Sequence, residues 1–287
     1  MDNTSNKIIW LASYPKSGNT WFRSFLTALK TDEGIFNINE LKTDGIFSGK
    51  EFVEQVLDLE TDELYPLEIK KFQNLSWNYI SKNAKNKQFV KIHDAFDFLP
   101  NSENKPFIPD DATFKAIYFV RHPFDIVPSL SNHSGKNINQ TVKFVNQSDA
   151  CFIDLKKKNS AAANQFNQHL GTWNEHVKSW LFHPTFPVLF LRYEDMKMNT
   201  FETFKKAVEF MELSYSDEQI EQALEMTSFD KLRKQEEDKG FKEKSVKTKF
   251  FFNKGEINYG KKQLTEEQIE SIKTVNEEMM KHFGYWH

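Results

Sequence analysis

Short apolar runs bounded by polar turns alternate along this chain with longer stretches whose apolar residues recur every third or fourth position. That alternation predicts strands and helices in turn, and hence an α/β fold. The first run, Ile8-Ile9-Trp10-Leu11-Ala12, reads as a buried strand ended by Pro15 and Gly18. From Asn19 the spacing is helical (Trp21, Phe22, Phe25, Leu26, Leu29), with Asn19 or Ser17 as N-cap. Further strands are predicted at 88–93, 115–121 and 187–192, and helices at 51–59, 66–81, 124–131, 200–211 and 216–225. Pro128 interrupts the helix that Pro123 opens and predicts a kink. Thr200, Ser216 and Thr265 are expected caps, the last with Gln268 completing a capping box. Trp173, Val177, Trp180 and Leu181 share one helical face, which reads as core and leaves His176 structural.

The first strand, loop and helix together form an anion trap. A helix N-terminus leaves backbone N–H groups unpartnered and carries partial positive charge. Lys16 adds a full charge, Ser17 and Thr20 add hydroxyl donors, and Gly18 lets a phosphate approach the backbone. The nucleoside triphosphatase loop requires GxxxxGK[ST], whereas here Lys16 precedes the glycine in Tyr-Pro-Lys-Ser-Gly-Asn-Thr-Trp.

Other strand ends carry chemistry as well. Alternation in 88–93 puts Phe89, Lys91 and His93 on one side and Val90 and Ile92 on the other. Ligands of open parallel sheets bind at the carboxyl ends of the strands, where Lys91 and His93 fall. Arg121 ends the next strand, where a guanidinium can clamp phosphate, and Ser129 follows eight residues later. Residues 132–168 are polar and Asn-rich, with helix expected at 140–147, and are a candidate substrate gate or an ordinary surface excursion.

Composition narrows the function classes. At 287 residues the chain can bury a large core, and it is expected to be one domain over 1–287. A net charge of −3 argues against a nucleic-acid partner, and Lys156-Lys157-Lys158 is read as a solvated face. Cys151 is the single cysteine, so no intramolecular disulfide forms. No stretch is long and apolar enough to span a membrane and the start has no leader-like apolar region, so a cytoplasmic location is expected.

Taken in order, these motifs resemble those of the cytosolic-type sulfotransferases, which use 3′-phosphoadenosine-5′-phosphosulfate. The resemblance runs from about Ile8 to Gly260. Lys16, Ser17, Gly18, Asn19, Thr20 and Trp21 match the 5′-phosphosulfate loop, and Arg121 with Ser129 the 3′-phosphate site. Tyr193 matches a tyrosine that hydrogen-bonds the nucleotide, and Thr227 and Phe229 match residues that flank the adenine, with Trp21 supplying the other face of the slot. Lys91-x-His93 resembles the catalytic strand, which makes His93 the general base and sets Lys91 and Lys16 on the transferring group. The last element keeps Lys254 and Gly255 but has Asn253 where the family has Arg, and its later glycine is shifted to Gly260. Asn cannot pair ionically with phosphate, so weaker cofactor binding, or compensation by Lys247 or Lys249, is expected. Glu266 replaces the valine of the family's dimerisation segment, which implies a monomer or weak dimer.

The resemblance implies a three-layer α/β fold with a central parallel sheet, and sulfuryl transfer to an acceptor hydroxyl or amine without a metal. The acceptor class stays open between small molecule, lipid and glycan. The rivals are an ATP-dependent P-loop kinase, which lacks its Walker order here, and a non-catalytic nucleotide-binding module, which would not need Lys91 and His93. A helix-rich scaffold would not explain ordered polar motifs at strand ends.

Overall fold

The computed structural model describes residues 6–31, 36–46, 49–62, 64–102, 104–152 and 165–286. Five parallel strands form one sheet in the order β2-β3-β1-β4-β5. They are β1 Ile8–Ser13, β2 Asp44–Ile46, β3 Gln88–Ile92, β4 Thr113–Val120 and β5 Val188–Arg192. β1 lies at the centre, paired with β3 and β4 along its length. All six of its residues are buried, and Ile8–Ala12 read as a continuous apolar run with no polar face.

Alternation along the strands divides the core in two. Ile8, Trp10 and Ala12 of β1, with Val90 and Ile92 of β3, face one layer. That layer is closed by α3 (Pro66–Asn83), α4 (Pro123–Ser134), α5 (Ile138–Val145), α6 (Trp173–Phe182) and α11 (Glu266–His282). Ile9, Leu11 and Phe89 face the other layer, closed by α1 (Asn19–Leu29), α8 (Thr200–Phe210), α9 (Asp217–Met226) and α10 (Phe229–Lys239). The three-layer α/β arrangement expected from the sequence is the one observed. The remaining helices are α2 (Lys50–Leu57) and α7 (Tyr193–Met198).

Several local expectations need correction. Gly18, at φ 104°, is the N-cap of α1, not Asn19 or Ser17. The Asn19 side chain instead donates to the Leu11 carbonyl at 2.7 Å and ties the loop back to β1. Thr200 does not cap α8: Asn199 precedes the helix with no side-chain cap, and the Thr200 hydroxyl donates back to the Lys197 carbonyl. Ser216 and Thr265 do cap α9 and α11, each in a capping box with Gln219 or Gln268. α4 runs through Pro128, as the expected helix did, but continues to Ser134 instead of stopping at Ser131. Residues 132–134 are therefore the last of that helix, and α5 occupies part of the polar stretch. Lys156–Lys158, with the rest of 153–164, lies outside the described residues.

Candidate active site

One cavity of about 1280 Å³ opens at the carboxyl ends of β1, β3 and β4. Of the residues predicted to be catalytic or to hold the co-substrate, all but Ser17 and Thr227 line it. Thr227 is fully buried with its hydroxyl donating to the Ala223 carbonyl at 2.7 Å, so its side chain serves the end of α9.

β1 runs directly into the loop that carries Lys16. Lys16 holds a left-handed φ of 72°, and its ammonium lies 3.8 Å from the centroid of the Phe251 ring. Burial, with repulsion from Arg121 and Lys91, pushes this ammonium down to about 7. Gly18 permits a close approach, since a Cβ there would lie 2.9 Å from the Tyr193 ring. Ser17 Oγ and Trp21 Nε1 are buried without partners among the described residues. Thr20 opens α1 on the cavity wall.

β3 delivers Lys91 and His93 beside that loop. His93 Nδ1 lies 2.8 Å from the Ser13 carbonyl, which only accepts, so Nδ1 carries the proton and Nε2 keeps its lone pair. Burial and the Lys91 charge hold the imidazole well below its ordinary value, so it is neutral at pH 7. Lys91 pairs at 3.3 Å with Glu243, whose other oxygen takes Arg23 of α1 at 2.7 Å. His176 is structural, as expected: one nitrogen meets the His93 carbonyl at 2.9 Å and the other the Tyr118 hydroxyl at 2.8 Å.

β4 and β5 supply the far wall. The Arg121 guanidinium donates to the carbonyls of Lys16 (3.1 Å) and Glu256 (2.9 Å) and stacks 4.2 Å over Tyr193. Its Nε is buried and unpartnered among the described residues. Ser129, on the second turn of α4, lines the same wall. Trp21 and Phe229 converge on Lys197, whose ammonium lies 5.6 and 5.8 Å from their centroids. Gly255 backs Phe229 so closely that a Cβ would lie 2.5 Å from the ring. Asn253 and Lys254 are exposed at the rim. Of the two lysines named as possible substitutes for the missing arginine, Lys247 lines the cavity, whereas Lys249 lies over Phe250.

Sequence reasoning missed Glu243, His133 and Phe251, all on this cavity. Their motifs carry no signature, and only folding brings them to the strand ends.

A profile described as the Sulfotransferase domain matches residues 6–284. Cytosolic sulfotransferase 15 of Arabidopsis thaliana is 27% identical over 273 residues, spanning 92% of this chain and 69% of that protein. Flavonol 3-sulfotransferase of Flaveria bidentis is 25% identical over 286 residues, spanning 95% and 81%. Among solved structures, mouse sulfotransferase SULT7A1 complexed with PAP shares the fold with a TM-score of 0.59 at 20% identity, covering 96% of this chain and 84% of that one. Retinol dehydratase in complex with androsterone and inactive cofactor PAP gives 0.60 at 19% identity, covering 96% and 81%.

Proposed function

This chain belongs to the sulfotransferase domain family, and from that premise we propose that it moves a sulfuryl group from 3′-phosphoadenosine-5′-phosphosulfate to an acceptor hydroxyl or amine, with His93 as general base. The observation that carries the reading is the meeting of Lys16, Lys91 and His93 at the ends of neighbouring strands on one cavity. The buried donors without partners among the described residues, Ser17 Oγ, Trp21 Nε1 and Arg121 Nε, fit a ligand rich in oxyanions and ring nitrogens.

In this reading Arg121 and Ser129 hold the 3′-phosphate, the Lys16 loop holds the phosphosulfate, and Trp21 and Phe229 flank the adenine. When bound, the co-substrate supplies an activated sulfuryl group, whose bond to the phosphate oxygen breaks as the bond to the acceptor atom forms. His93 Nε2 takes the acceptor's proton, while Nδ1–H stays on the Ser13 carbonyl and fixes the ring. Lys16 stabilises negative charge on the departing phosphate oxygen, and Lys91 assists on the sulfuryl oxygens. The described flanks of 132–168 supply Phe144 and Phe152 to the cavity, which supports a role for this stretch in holding the acceptor. Flavonol and luciferin appear in the names of relatives, which supports a small hydroxylated acceptor over a lipid or glycan.

The test is calorimetric titration with 3′,5′-adenosine bisphosphate against ADP and ATP without magnesium, repeated on His93→Ala. Binding of the bisphosphate at least tenfold tighter than ADP or ATP is expected. In His93→Ala that affinity stays while turnover falls about 10²-fold or more. Preference for ATP would favour the kinase, and retained turnover in the variant would remove His93 from its role.

A further inference from the structure

His93 owes its surroundings to the register of the central strands. β1 and β3 run parallel with Ala12 opposite Ile92, so the residues that follow, Ser13 and His93, stand side by side. Ser13 meets the imidazole twice. Its carbonyl oxygen lies 2.8 Å from His93 Nδ1, and its hydroxyl oxygen lies 3.2 Å from the same nitrogen. The carbonyl can only accept, so Nδ1 carries the proton and the hydroxyl oxygen stands as a second acceptor for it. That hydroxyl is itself held in place. Asn19, the first residue of α1, donates from Nδ2 to Ser13 Oγ at 3.3 Å and to the Leu11 carbonyl at 2.7 Å. Ser13 and Asn19 are both buried, so water does not compete for these contacts.

A base in this position needs such support. Among the described residues, the two oxygens of Ser13 are the only hydrogen-bond partners of the His93 ring. Burial, Lys91 of β3 and His176 of α6 all act against a positive charge on it. Glu243, from the segment over the cavity, favours that charge without a hydrogen bond to the ring and is committed to Arg23 and Lys91. Phe152 packs against the ring at 5.7 Å and offers no charge. When Nε2 takes a proton the ring becomes a buried imidazolium, and Nδ1–H becomes a stronger donor. With no carboxylate on Nδ1, that charge falls on neutral oxygens.

Resting on the sulfotransferase reading, we infer that Ser13 is a positioning residue for the base: its carbonyl and hydroxyl oxygens together hold His93 Nδ1–H, turn Nε2 to the acceptor and stabilise the imidazolium as it forms. In that step the acceptor's O–H or N–H bond breaks and Nε2–H forms, while the Nδ1 proton stays where it is. Asn19 fixes the hydroxyl, which ties the base to the helix that follows the Lys16 loop.

Imidazole NMR of the full chain saturated with 3′,5′-adenosine bisphosphate tests this, with the His93 signals assigned by their loss in His93→Ala. Ser13→Ala removes the hydroxyl and leaves the carbonyl. It is expected to lower the proton affinity of His93 about threefold to tenfold, because the imidazolium loses more than the imidazole does. Ser13→Thr keeps a hydroxyl and should stay within about twofold of the unaltered protein. Bisphosphate affinity and melting temperature, the controls, should hold in both variants. With the co-substrate and 4-nitrophenol, Ser13→Ala should lower kcat about threefold to tenfold and leave KM within about twofold. Unchanged proton affinity or unchanged kcat in Ser13→Ala overturns the inference. So does an equal loss in a Ser13→Thr protein of intact melting temperature, or a His93 that takes up no proton in the unaltered protein. If 4-nitrophenol is not turned over, or if threonine unfolds its variant, the proton affinity of Ser13→Ala decides alone. Failure of the bisphosphate to bind is a separate result, which removes the sulfotransferase reading and this inference with it.

Discussion

Lys16 combines two unfavourable states, a left-handed backbone and a buried ammonium beside Arg121 and Lys91. A non-glycine residue in that backbone region costs on the order of 1 kcal/mol, which the surrounding loop must offset. The ammonium's low value of about 7 arises from burial first and from like charges second. In the proposed complex the oxyanions of the nucleotide outweigh both effects, so binding should raise it. The sign follows: below pH 7 the free enzyme already carries the proton, and above it binding must take one up. Bisphosphate affinity should therefore fall by up to about tenfold per pH unit above 7, with uptake of about 0.9 proton at pH 8 and about 0.1 at pH 6. Calorimetry in two buffers of different ionisation heat reads that uptake directly. Lys16→Met should bind more weakly with the uptake lost; undiminished uptake in that variant would assign the proton to another group.

Among the elements, α4 organises the cavity wall proposed to hold the nucleotide, and Pro128 explains how. Proline has no N–H to give the Phe124 carbonyl one turn back, so that carbonyl is left open. Gly260 packs against it: a Cβ there would lie 1.9 Å from Phe124 O and 2.7 Å from Asp125 N. Asp125 completes the joint by accepting from the N–H groups of Asn258 and Gly260. The glycine that looked displaced in the sequence is thus fixed by α4, and it sets the segment whose Glu256 carbonyl takes Arg121. Gly260→Ala should destabilise by about 1–3 kcal/mol and weaken bisphosphate binding about tenfold, because the segment must move. Gly240→Ala, with nothing within 4 Å of a Cβ, carries only the strain of its φ of +72° and should leave binding unchanged. Thermal melts and titration compare them; equal behaviour would refute the joint. The long buried strands and the phosphate loop were legible because local pattern dictates them. β2 was not, since it has three residues and pairs only with β3. α10 was not, since FDKLRKQEEDK buries little besides Leu232 and Glu236. α7 follows β5 with no intervening turn to mark it.

Across the whole molecule, Glu243 joins parts of the chain that no local pattern connects. Its partners Arg23 and Lys91 are 220 and 152 residues away in sequence, on α1 and β3, while Glu243 itself belongs to the segment over the cavity. Only the folded chain reveals this carboxylate–cation network, whereas Lys91 and His93 could be read from one strand. Arg23 is almost fully buried, at 3% side-chain exposure, so removing its counter-charge leaves a cation without compensation. Glu243 is 31% exposed, which reduces the cost to about 1–3 kcal/mol. That cost falls on one segment, because the sheet beneath is held by its own core. Glu243→Gln should therefore speed amide hydrogen exchange in 241–250 by about tenfold or more and leave β1 and β4 protected. Bound bisphosphate should recover part of the protection, since Lys91 then has an anion to face. Faster exchange throughout the sheet would make Glu243 a general stabiliser, and unchanged exchange would mean the segment is held by Phe251 and Phe252 through Glu236 instead. The predicted pattern places the closing of the cavity under the control of the charge that also steadies Lys91.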